Sequence, residues 1–287
     1  TNSINFGVIM TAYEKLLKQQ ANTSSLLCVG LDTDLKKIPN HLSKNGVAGM
    51  LEFNKSIIDA LSNSVCGFKI NFAFYEQFGA EGFECLKQTF DYIPDHSFKI
   101  ADAKRADIGN TSKAYAKAIY EYFGADSATL MPYMGMDSIK PFLDYENKLN
   151  FLIALSSNPG AKDFQRLQSD GKPFYYHIIQ HSKKYAKPEN LGYVVGATYS
   201  EELDQIRKIT KNRVLLIPGI GAQGGSLEDT VDANKGATSI ISVSRSIIYA
   251  SNDTDFAEKA AQTANQLNKQ IKSFQMAWWL DIIDVQS

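Results

Sequence analysis

Eight short apolar segments recur along the chain, and helical patterns separate them. Each segment is almost continuously apolar, which is typical of a strand that is buried on both faces of a parallel sheet. No hairpin turn signal joins neighbouring segments, so the alternation indicates repeated βαβ units. Eight such units over about 220 residues predict an α/β fold, a closed (β/α)8 TIM barrel, in preference to an open doubly wound sheet. The predicted strands are SLLCVGLD (25–32), CGFKINFA (66–73), SFKIADAKR (97–105), SATLMPY (127–133), NFLIALSS (150–157), LGYVVGA (191–197), RVLLIPGI (213–220) and ATSIISVSR (237–245).

A further helical pattern precedes the first strand. Apolar residues fall near helical spacing from Asn5 to Gln20, which predicts an extra N-terminal helix. The chain has 287 residues, and no linker or low-complexity tract divides it. Because barrels of this size are commonly single domains, we expect one TIM-barrel domain over residues 1–287.

Composition and charge argue against several classes of protein. A net charge of −1 gives no reason to expect nucleic acid or an anionic membrane as a partner. No apolar run reaches the roughly 18 residues that a membrane helix needs, and the first residues lack the basic-then-apolar order of a signal peptide. The three cysteines, Cys28, Cys66 and Cys85, are widely spaced, which favours buried thiols in a reducing compartment. We therefore expect a cytoplasmic protein.

The third predicted strand ends in a cluster of charges. Asp102, Lys104, Arg105 and Asp107 fall within six consecutive positions, and a helix is predicted to follow over 110–123. Strand alternation directs Asp102 and Lys104 to one face, where interior charges are costly unless they are paired. The same D-x-K-x-x-D spacing occurs in ordinary solvated loops. The apolar beginning of the strand favours a site that holds charges in a fixed relation.

Other predicted strands also end in polar residues. In barrels of this type the carboxyl ends of the strands form the active site. These residues are Asp32 after strand one, Lys69 and Asn71 in strand two, Ser156, Ser157 and Asn158 after strand five, and Ser244 and Arg245 after strand eight. They predict a ring of polar groups of both signs around the mouth of the barrel.

The end of strand seven suggests phosphate binding. Its glycine-rich continuation, Gly219 to Gly225, allows backbone N–H groups to approach an anion closely. Arg245, at the end of the next strand, carries a guanidinium suited to phosphate oxygens. A glycine-rich segment alone could be a flexible turn, and Arg245 favours the phosphate interpretation.

Six motifs together carry a family resemblance. They are FKINFAFYEQFG, DAKRADIGNT, MPYMG, SSNPGAKDFQ, IPGIGAQGG and SVSRSI, in this order. From about Leu26 to Tyr249 the chain closely resembles the orotidine 5′-monophosphate decarboxylases with a D-A-K-R-x-D-I-G-N-T loop. The resemblance implies a carboxy-lyase of UMP biosynthesis, which converts orotidine 5′-phosphate (OMP) to UMP and CO2 without a metal or cofactor.

The resemblance also implies a catalytic tetrad, Lys69, Asp102, Lys104 and Asp107. Decarboxylation leaves a carbanion in the plane of the pyrimidine, outside its π system, so fixed charges must stabilise it. Lys104 would stabilise and protonate C6, and Asp102 would lie near the substrate carboxylate, a contested ground-state role. Lys69 and Asp107 would hold the other two in place.

Substrate contacts and a dimer follow from the same resemblance. The implied contacts are Asp32 for a ribose hydroxyl, Ser157 for the pyrimidine edge, Pro218 beside the base, Gln223 and Arg245 for the phosphate, and Asn71 and Ser244 as further contacts. Relatives often have glycine at the position of Ser244. In the family, the residues matching Asp107, Ile108 and Thr111 enter the partner's site, which implies a C2 homodimer.

Two alternative functions stand beside this one. Sugar-phosphate decarboxylases and hexulose-phosphate synthases share the barrel and the D-x-K-x-x-D strand but use Mg²⁺, with an additional acidic ligand at a strand end. Here strand two ends with Lys69 and Asn71, and strand four has no acid before Asp137. A catalytically silent nucleotide-binding barrel is the second alternative, and the intact tetrad argues against it.

Two further features have structural interpretations. His177 and His181 have the i, i+4 spacing of helical metal ligands, but they lack the glutamate of H-E-x-x-H, so we expect no metal site. The irregular stretch from Ser156 to Lys172 is long enough for a lid or for a tolerated insertion.

Overall fold

Eight parallel strands form a closed barrel in the computed structural model, which describes residues 10–197, 200–220, 225–234 and 237–285. The barrel strands are β1 (Leu27–Gly30), β2 (Gly67–Asn71), β3 (Phe98–Arg105), β4 (Ser127–Leu130), β5 (Leu149–Leu155), β8 (Leu191–Val195), β9 (Leu215–Pro218) and β10 (Ser239–Val243). They follow chain order around the barrel, and β10 closes it against β1. Between β5 and β8, a short antiparallel pair is formed by β6 (Gln168–Ser169) and β7 (Lys172–Pro173). The predicted TIM barrel is therefore confirmed.

Helices connect the strands and surround the barrel. They are α1 (Ala12–Thr23), α2 (Asn40–Ser43), α3 (Gly46–Leu61), α4 (Ala73–Glu76), α5 (Gly79–Tyr92), α6 (Gly109–Lys117), α7 (Met136–Leu143), α8 (Ala161–Phe164), α9 (Phe174–Ser182), α10 (Ser200–Thr210), α11 (Leu227–Ala233), α12 (Arg245–Ile248) and α13 (Phe256–Val285). A π-helical turn over Ala118–Tyr122 continues α6, and a 3-10 turn over Pro132–Met134 precedes α7. Among the described residues, no helix combines the length and the apolar character needed to cross a membrane.

Helix α1 covers the N-terminal end of the barrel. Thr11 and Glu14 form a capping box that begins the helix. Leu16 is fully buried and packs with side chains of the barrel interior. The Gln20 amide donates a hydrogen bond of 2.7 Å to the carbonyl of Ser239, where β10 begins. The predicted extra helix is thus present, but it runs from Ala12 to Thr23, since Met10 and Thr11 precede it; residues 1–9 lie outside the described part of the chain.

Two apolar clusters form the core. One fills the barrel interior and includes Cys28, Cys66, Phe98 and Phe151. The larger cluster lies between the strands and the surrounding helices. All three cysteines are buried free thiols, as predicted, and burial raises the pKa of Cys28 to about 12 and that of Cys85 to about 11. Apolar side chains fill the barrel interior, and α1 covers the end where the strands begin. The barrel is therefore accessible from the carboxyl ends of its strands.

The stretch between β5 and α9 has more regular structure than the sequence suggests. Within residues 156–172, helix α8 forms one turn and the β6–β7 pair forms a small ribbon. The carboxamide Oε1 of Gln165 accepts a hydrogen bond of 2.7 Å from the Ser156 backbone N–H, which ties this stretch to the end of β5. The segment therefore has folded structure of its own, anchored where β5 ends.

Candidate active site

A cavity of about 260 Å3 opens at the carboxyl ends of the barrel strands. Nine of the thirteen predicted site residues line it. They are Asp32, Lys69, Asn71, Asp102, Lys104, Ser157, Pro218, Ser244 and Arg245. The barrel therefore brings together residues that are up to 213 positions apart in the chain, since Asp32 and Arg245 are both in this lining.

Asp102 lies between two lysines. Its Oδ2 accepts a hydrogen bond from Lys69 Nζ at 3.0 Å, and its Oδ1 accepts one from Lys104 Nζ at 2.7 Å. The Thr129 hydroxyl donates to the same Oδ1 at 2.9 Å. The pairing of β2 with β3 produces this arrangement. Asp102 on β3 pairs in register with Asn71 on β2, and Lys69 precedes Asn71 by two residues, on the same face of that strand.

This charge array is largely buried. The Lys69 side chain is 8% exposed and that of Asp102 is 11% exposed, whereas Lys104 is 48% exposed towards the cavity. Burial alone would raise the pKa of Asp102, but the two ammonium groups outweigh it and hold that pKa well below its usual range. Burial likewise opposes the charge of Lys69, yet Asp102 and Asp32 keep its pKa above the ordinary value. Asp102 and Lys69 are therefore charged at neutral pH.

Asp32 connects this array to the opposite wall of the cavity. Its Oδ1 lies 3.3 Å from Lys69 Nζ, and its Oδ2 accepts a hydrogen bond of 2.8 Å from the Ser244 hydroxyl. The Tyr249 hydroxyl donates to the Asp32 carbonyl at 3.0 Å. A carboxylate held on both oxygens and through its backbone has one defined orientation toward the cavity.

Regular strand geometry does not extend to Lys104. Its φ is +48°, in the left-handed region that costs a residue with a side chain about 1–2 kcal/mol. The β3–β4 register shifts between Ala101 and Arg105, and the Lys104 backbone N–H donates to Thr129 Oγ1 at 3.1 Å. The prediction that Asp102 and Lys104 share a face is confirmed, but their contact depends on this departure from regular alternation.

Thr129 and the apolar lining were not predicted as site residues. The predicted site residues are mostly charged or polar residues near the ends of strands, whereas Thr129 lies within the apolar run of β4. Ile153, Val194 and Leu216 also line the cavity, and in the sequence they cannot be distinguished from ordinary core residues. The sequence signal for Thr129 is a polar side chain inside a predicted strand.

The predicted phosphate site is described in part. Gly219 has φ +106°, a conformation that requires glycine, and a backbone bridge joins Ile220 to Gly225. Arg245 begins α12 and lines the cavity. Gln223 lies outside the described residues.

The sequence and the fold were compared with known proteins. A profile described as "Orotidine 5'-phosphate decarboxylase / HUMPS family" matches residues 25–260. An orotidine 5′-phosphate decarboxylase of Christiangramia forsetii is 49% identical over 268 residues, which cover 91% of this chain and 96% of that protein. The structure of Leishmania donovani OMP decarboxylase has a TM-score of 0.81 and 31% identity, covering 93% of this chain and 99% of that chain. Leishmania donovani UMP synthase has a TM-score of 0.83 and 33% identity, covering 93% of this chain but 57% of that chain.

The chain belongs to the orotidine 5′-phosphate decarboxylase / HUMPS family. The predicted family and the predicted carboxy-lyase class are thereby confirmed.

Three predicted residues lie outside the cavity of this decarboxylase-family chain. Asp107, Ile108 and Thr111 are absent from its lining, although they follow Lys104 closely in sequence. Asp107 Oδ1 accepts a hydrogen bond of 2.7 Å from the Ile108 backbone N–H, and no ion pair joins Asp107 to a cation elsewhere in the described ranges. Ile108 is 60% exposed. A single copy of the chain therefore does not bring Asp107 to the charge array.

The two helical histidines have local partners. His177 Nε2 lies 2.8 Å from the Ser169 carbonyl, and His181 Nε2 lies 3.3 Å from the Tyr185 hydroxyl. Within the part of the chain that the structure describes, no group of three or more His, Cys, Asp or Glu residues is placed to hold a metal ion.

Proposed function

We propose that the chain converts OMP to UMP and CO2 through fixed charges alone, as a step of pyrimidine biosynthesis. The observation that carries this proposal is the buried Lys69–Asp102–Lys104 array, in which each oxygen of Asp102 is already paired with an ammonium group. Because the acidic side chains are occupied by lysines, the array suits an anionic substrate better than a Mg²⁺ ion. This distinction separates an OMP decarboxylase from the Mg²⁺-dependent alternative.

Lys104 is the proposed electrophile and acid. The bond between C6 of the pyrimidine and the carboxylate breaks, CO2 leaves, and the electron pair remains on C6. The Lys104 ammonium stabilises this pair and transfers one proton to C6, and the resulting amine regains a proton from water. The 48% exposure of Lys104 towards the cavity supports this role, since its Nζ can reach a ligand.

Asp102 and Lys69 are proposed to keep Lys104 charged and oriented. Asp102 would also lie beside the substrate carboxylate, where its negative charge favours the product over the substrate. Asp102 is held from its other oxygen by Lys69, so it cannot turn away from the incoming carboxylate. Catalysis of this kind depends on charges that are organised before the substrate arrives.

The remaining lining residues are proposed to hold the nucleotide. Asp32 would accept a hydrogen bond from a ribose hydroxyl, since Lys69 and Ser244 already fix its orientation. Ser157 would contact the pyrimidine edge, Pro218 would lie beside the base, and Arg245 would bind the phosphate. Asn71 and Ser244 are further proposed contacts, as is Gln223.

A homodimer would complete the site. Asp107, Ile108 and Thr111 are proposed to enter the cavity of the partner subunit, which agrees with their positions outside the cavity of their own chain. The exposed Ile108 side chain supports a buried role at an interface. We further propose a cytoplasmic enzyme whose barrel domain spans residues 1–287, with no nucleic acid or membrane partner.

One assay tests the proposed function. The purified protein is treated with EDTA, OMP is added, and loss of the orotate ultraviolet absorbance is followed. Rapid loss after EDTA is the expected result. Loss that appears after Mg²⁺ is added would instead indicate a metal-dependent enzyme, and no loss in either condition would contradict decarboxylation by this chain.

A further inference from the structure

Thr129 occupies a position in the cavity wall that the roles proposed above leave unassigned. It lies on β4, is 2% exposed, and contributes to the cavity lining. Its hydroxyl makes two hydrogen bonds, donating to Asp102 Oδ1 at 2.9 Å and accepting from the Lys104 backbone N–H at 3.1 Å. One buried hydroxyl therefore contacts two members of the charge array.

The contact with Lys104 stabilises an unusual piece of backbone. Regular β3–β4 pairing is interrupted between Ala101 and Arg105, and within this interruption the Lys104 N–H donates to the Thr129 hydroxyl oxygen. Lys104 has a φ of +48° at this point. Thr129 Oγ1 thus supplies an acceptor where the strand pairing is irregular, and a buried N–H without an acceptor is costly.

The contact with Asp102 determines the direction of the hydroxyl. A threonine hydroxyl has one proton and two lone pairs. Because the charged Asp102 can only accept, the proton must point to Oδ1, which leaves a lone pair for the Lys104 N–H. The two hydrogen bonds are therefore compatible, and each defines the geometry of the other.

We propose that Thr129 is a positioning residue that fixes the Lys104 backbone and the Asp102 carboxylate relative to each other. This inference rests on the proposed function of Lys104 and Asp102. Since the Lys104 side chain extends from a left-handed residue, a change in its φ would move Nζ away from C6 of the substrate. A displacement of about 1 Å can lower a rate by 10²-fold.

The test is a set of substitutions at one position. Thr129→Val retains the shape of threonine and removes both hydrogen bonds, whereas Thr129→Ser retains the hydroxyl. We expect Thr129→Val to lower kcat for OMP about 10- to 100-fold and to change KM less than about threefold. The small change in KM is expected because Asp32 and Arg245, the proposed ribose and phosphate contacts, lie outside β3 and β4. Thr129→Ser should remain within about threefold of the wild-type kcat.

Controls separate positioning from general stability. Thr210→Val removes a buried hydroxyl on α10, which donates to the Ile206 carbonyl at 2.9 Å, and it should leave both kinetic constants unchanged. If Thr129→Val does not fold, the pair Thr129→Ala and Thr129→Ser provides the same comparison, since both lack the methyl group and only serine has the hydroxyl. Circular dichroism and UMP affinity establish that each variant is folded and binds nucleotide.

Two results would overturn the inference. One is a wild-type kcat in Thr129→Val, or in Thr129→Ala where the valine variant does not fold. The other is a kcat for Thr129→Ser that is as low as the kcat of the variant without the hydroxyl. The wild-type protein is measured in parallel, so that an absence of decarboxylation there contradicts the proposed function, whereas the comparison among variants concerns Thr129 alone.

Discussion

Lys104 combines three properties that a residue of the structural core would not need together. Its side chain is half exposed, its backbone is left-handed, and its Nζ lies 2.7 Å from a buried carboxylate. We expect Lys104→Ala to abolish turnover of OMP while UMP still binds and the fold is retained, because the lost group is the proposed proton donor and does not fill the core. Single-turnover assays and UMP titration measure the two effects.

A matched surface variant serves as the control for that prediction. Lys140 is an exposed lysine on α7 whose ion pair is with Asp144, directly after that helix, so Lys140→Ala should retain full activity. Substantial turnover in Lys104→Ala would refute the role proposed for Lys104.

Asp102 has a pH dependence whose sign follows from its pKa. Its pKa is lower in the folded chain than the ordinary value of 3.8, so folding favours its charged form. The resulting stabilisation is complete above about pH 4 and is lost as the pH falls through the folded pKa. We expect the difference in unfolding free energy between wild type and Asp102→Asn to be constant from about pH 5 to 8 and to shrink below about pH 4.

Urea denaturation across this pH range measures the difference. Asp95→Asn is the comparison, because the Asp95 side chain is fully exposed and its pair with Lys99 is accessible to solvent. A wild-type to Asp102→Asn difference that grows toward acid pH would have the wrong sign for a carboxylate stabilised in its charged form.

At the scale of elements, the end of β3 is held to α4 and α6 by Arg105. Its guanidinium forms an ion pair with Glu76 and donates to the Ala103 carbonyl at 2.7 Å. It also lies over the rings of Phe72 and Tyr115, at 5.6 and 5.4 Å. We expect Arg105→Ala to lower the unfolding free energy by about 1–2 kcal/mol, and Arg105→Lys to recover less than half of it, since lysine lacks the planar fork.

Chemical denaturation of both variants tests the contribution of Arg105. Lys117→Ala on α6, whose ion pair with Glu121 is exposed, provides a reference in which one surface pair is lost. Equal stability of wild type and Arg105→Ala would show that the ion pair and ring contacts contribute nothing net.

Elements differ in how far their sequence determines them. The strands β2 and β9 begin and end close to their predicted positions. A continuous apolar run that is bounded by turn residues is typical of a strand buried on both faces, so the run itself defines the strand. The left-handed Lys104 could not be predicted, since its backbone N–H bonds to Thr129, which is 25 positions further along the chain. The β6–β7 ribbon was missed because two-residue strands leave no alternation to detect.

At the scale of the whole molecule, some residues of the candidate site could be predicted from the sequence and others could not. Charged residues such as Lys69 and Asp102 could be predicted because a charge within an apolar run is conspicuous. The apolar lining could not, since Ile153 and Leu216 become site residues only when the barrel closes around them. No property of a single sequence shows which residues a second copy would contribute.

A mixture of two inactive variants tests the contribution of that second copy. If Asp107 acts in the partner's site, Lys104→Ala and Asp107→Ala each inactivate both sites of their own homodimer. In a hybrid dimer, the Asp107→Ala subunit retains Lys104 and receives Asp107 from the other subunit, so one site is intact. Random mixing makes about half of the dimers hybrid, and activity should rise to about one quarter of wild type. Refolding the two variants together, with each refolded alone as the control, measures this recovery. A mixture as inactive as its components would place Asp107 in its own subunit's site, a position that its absence from the cavity lining of one chain argues against.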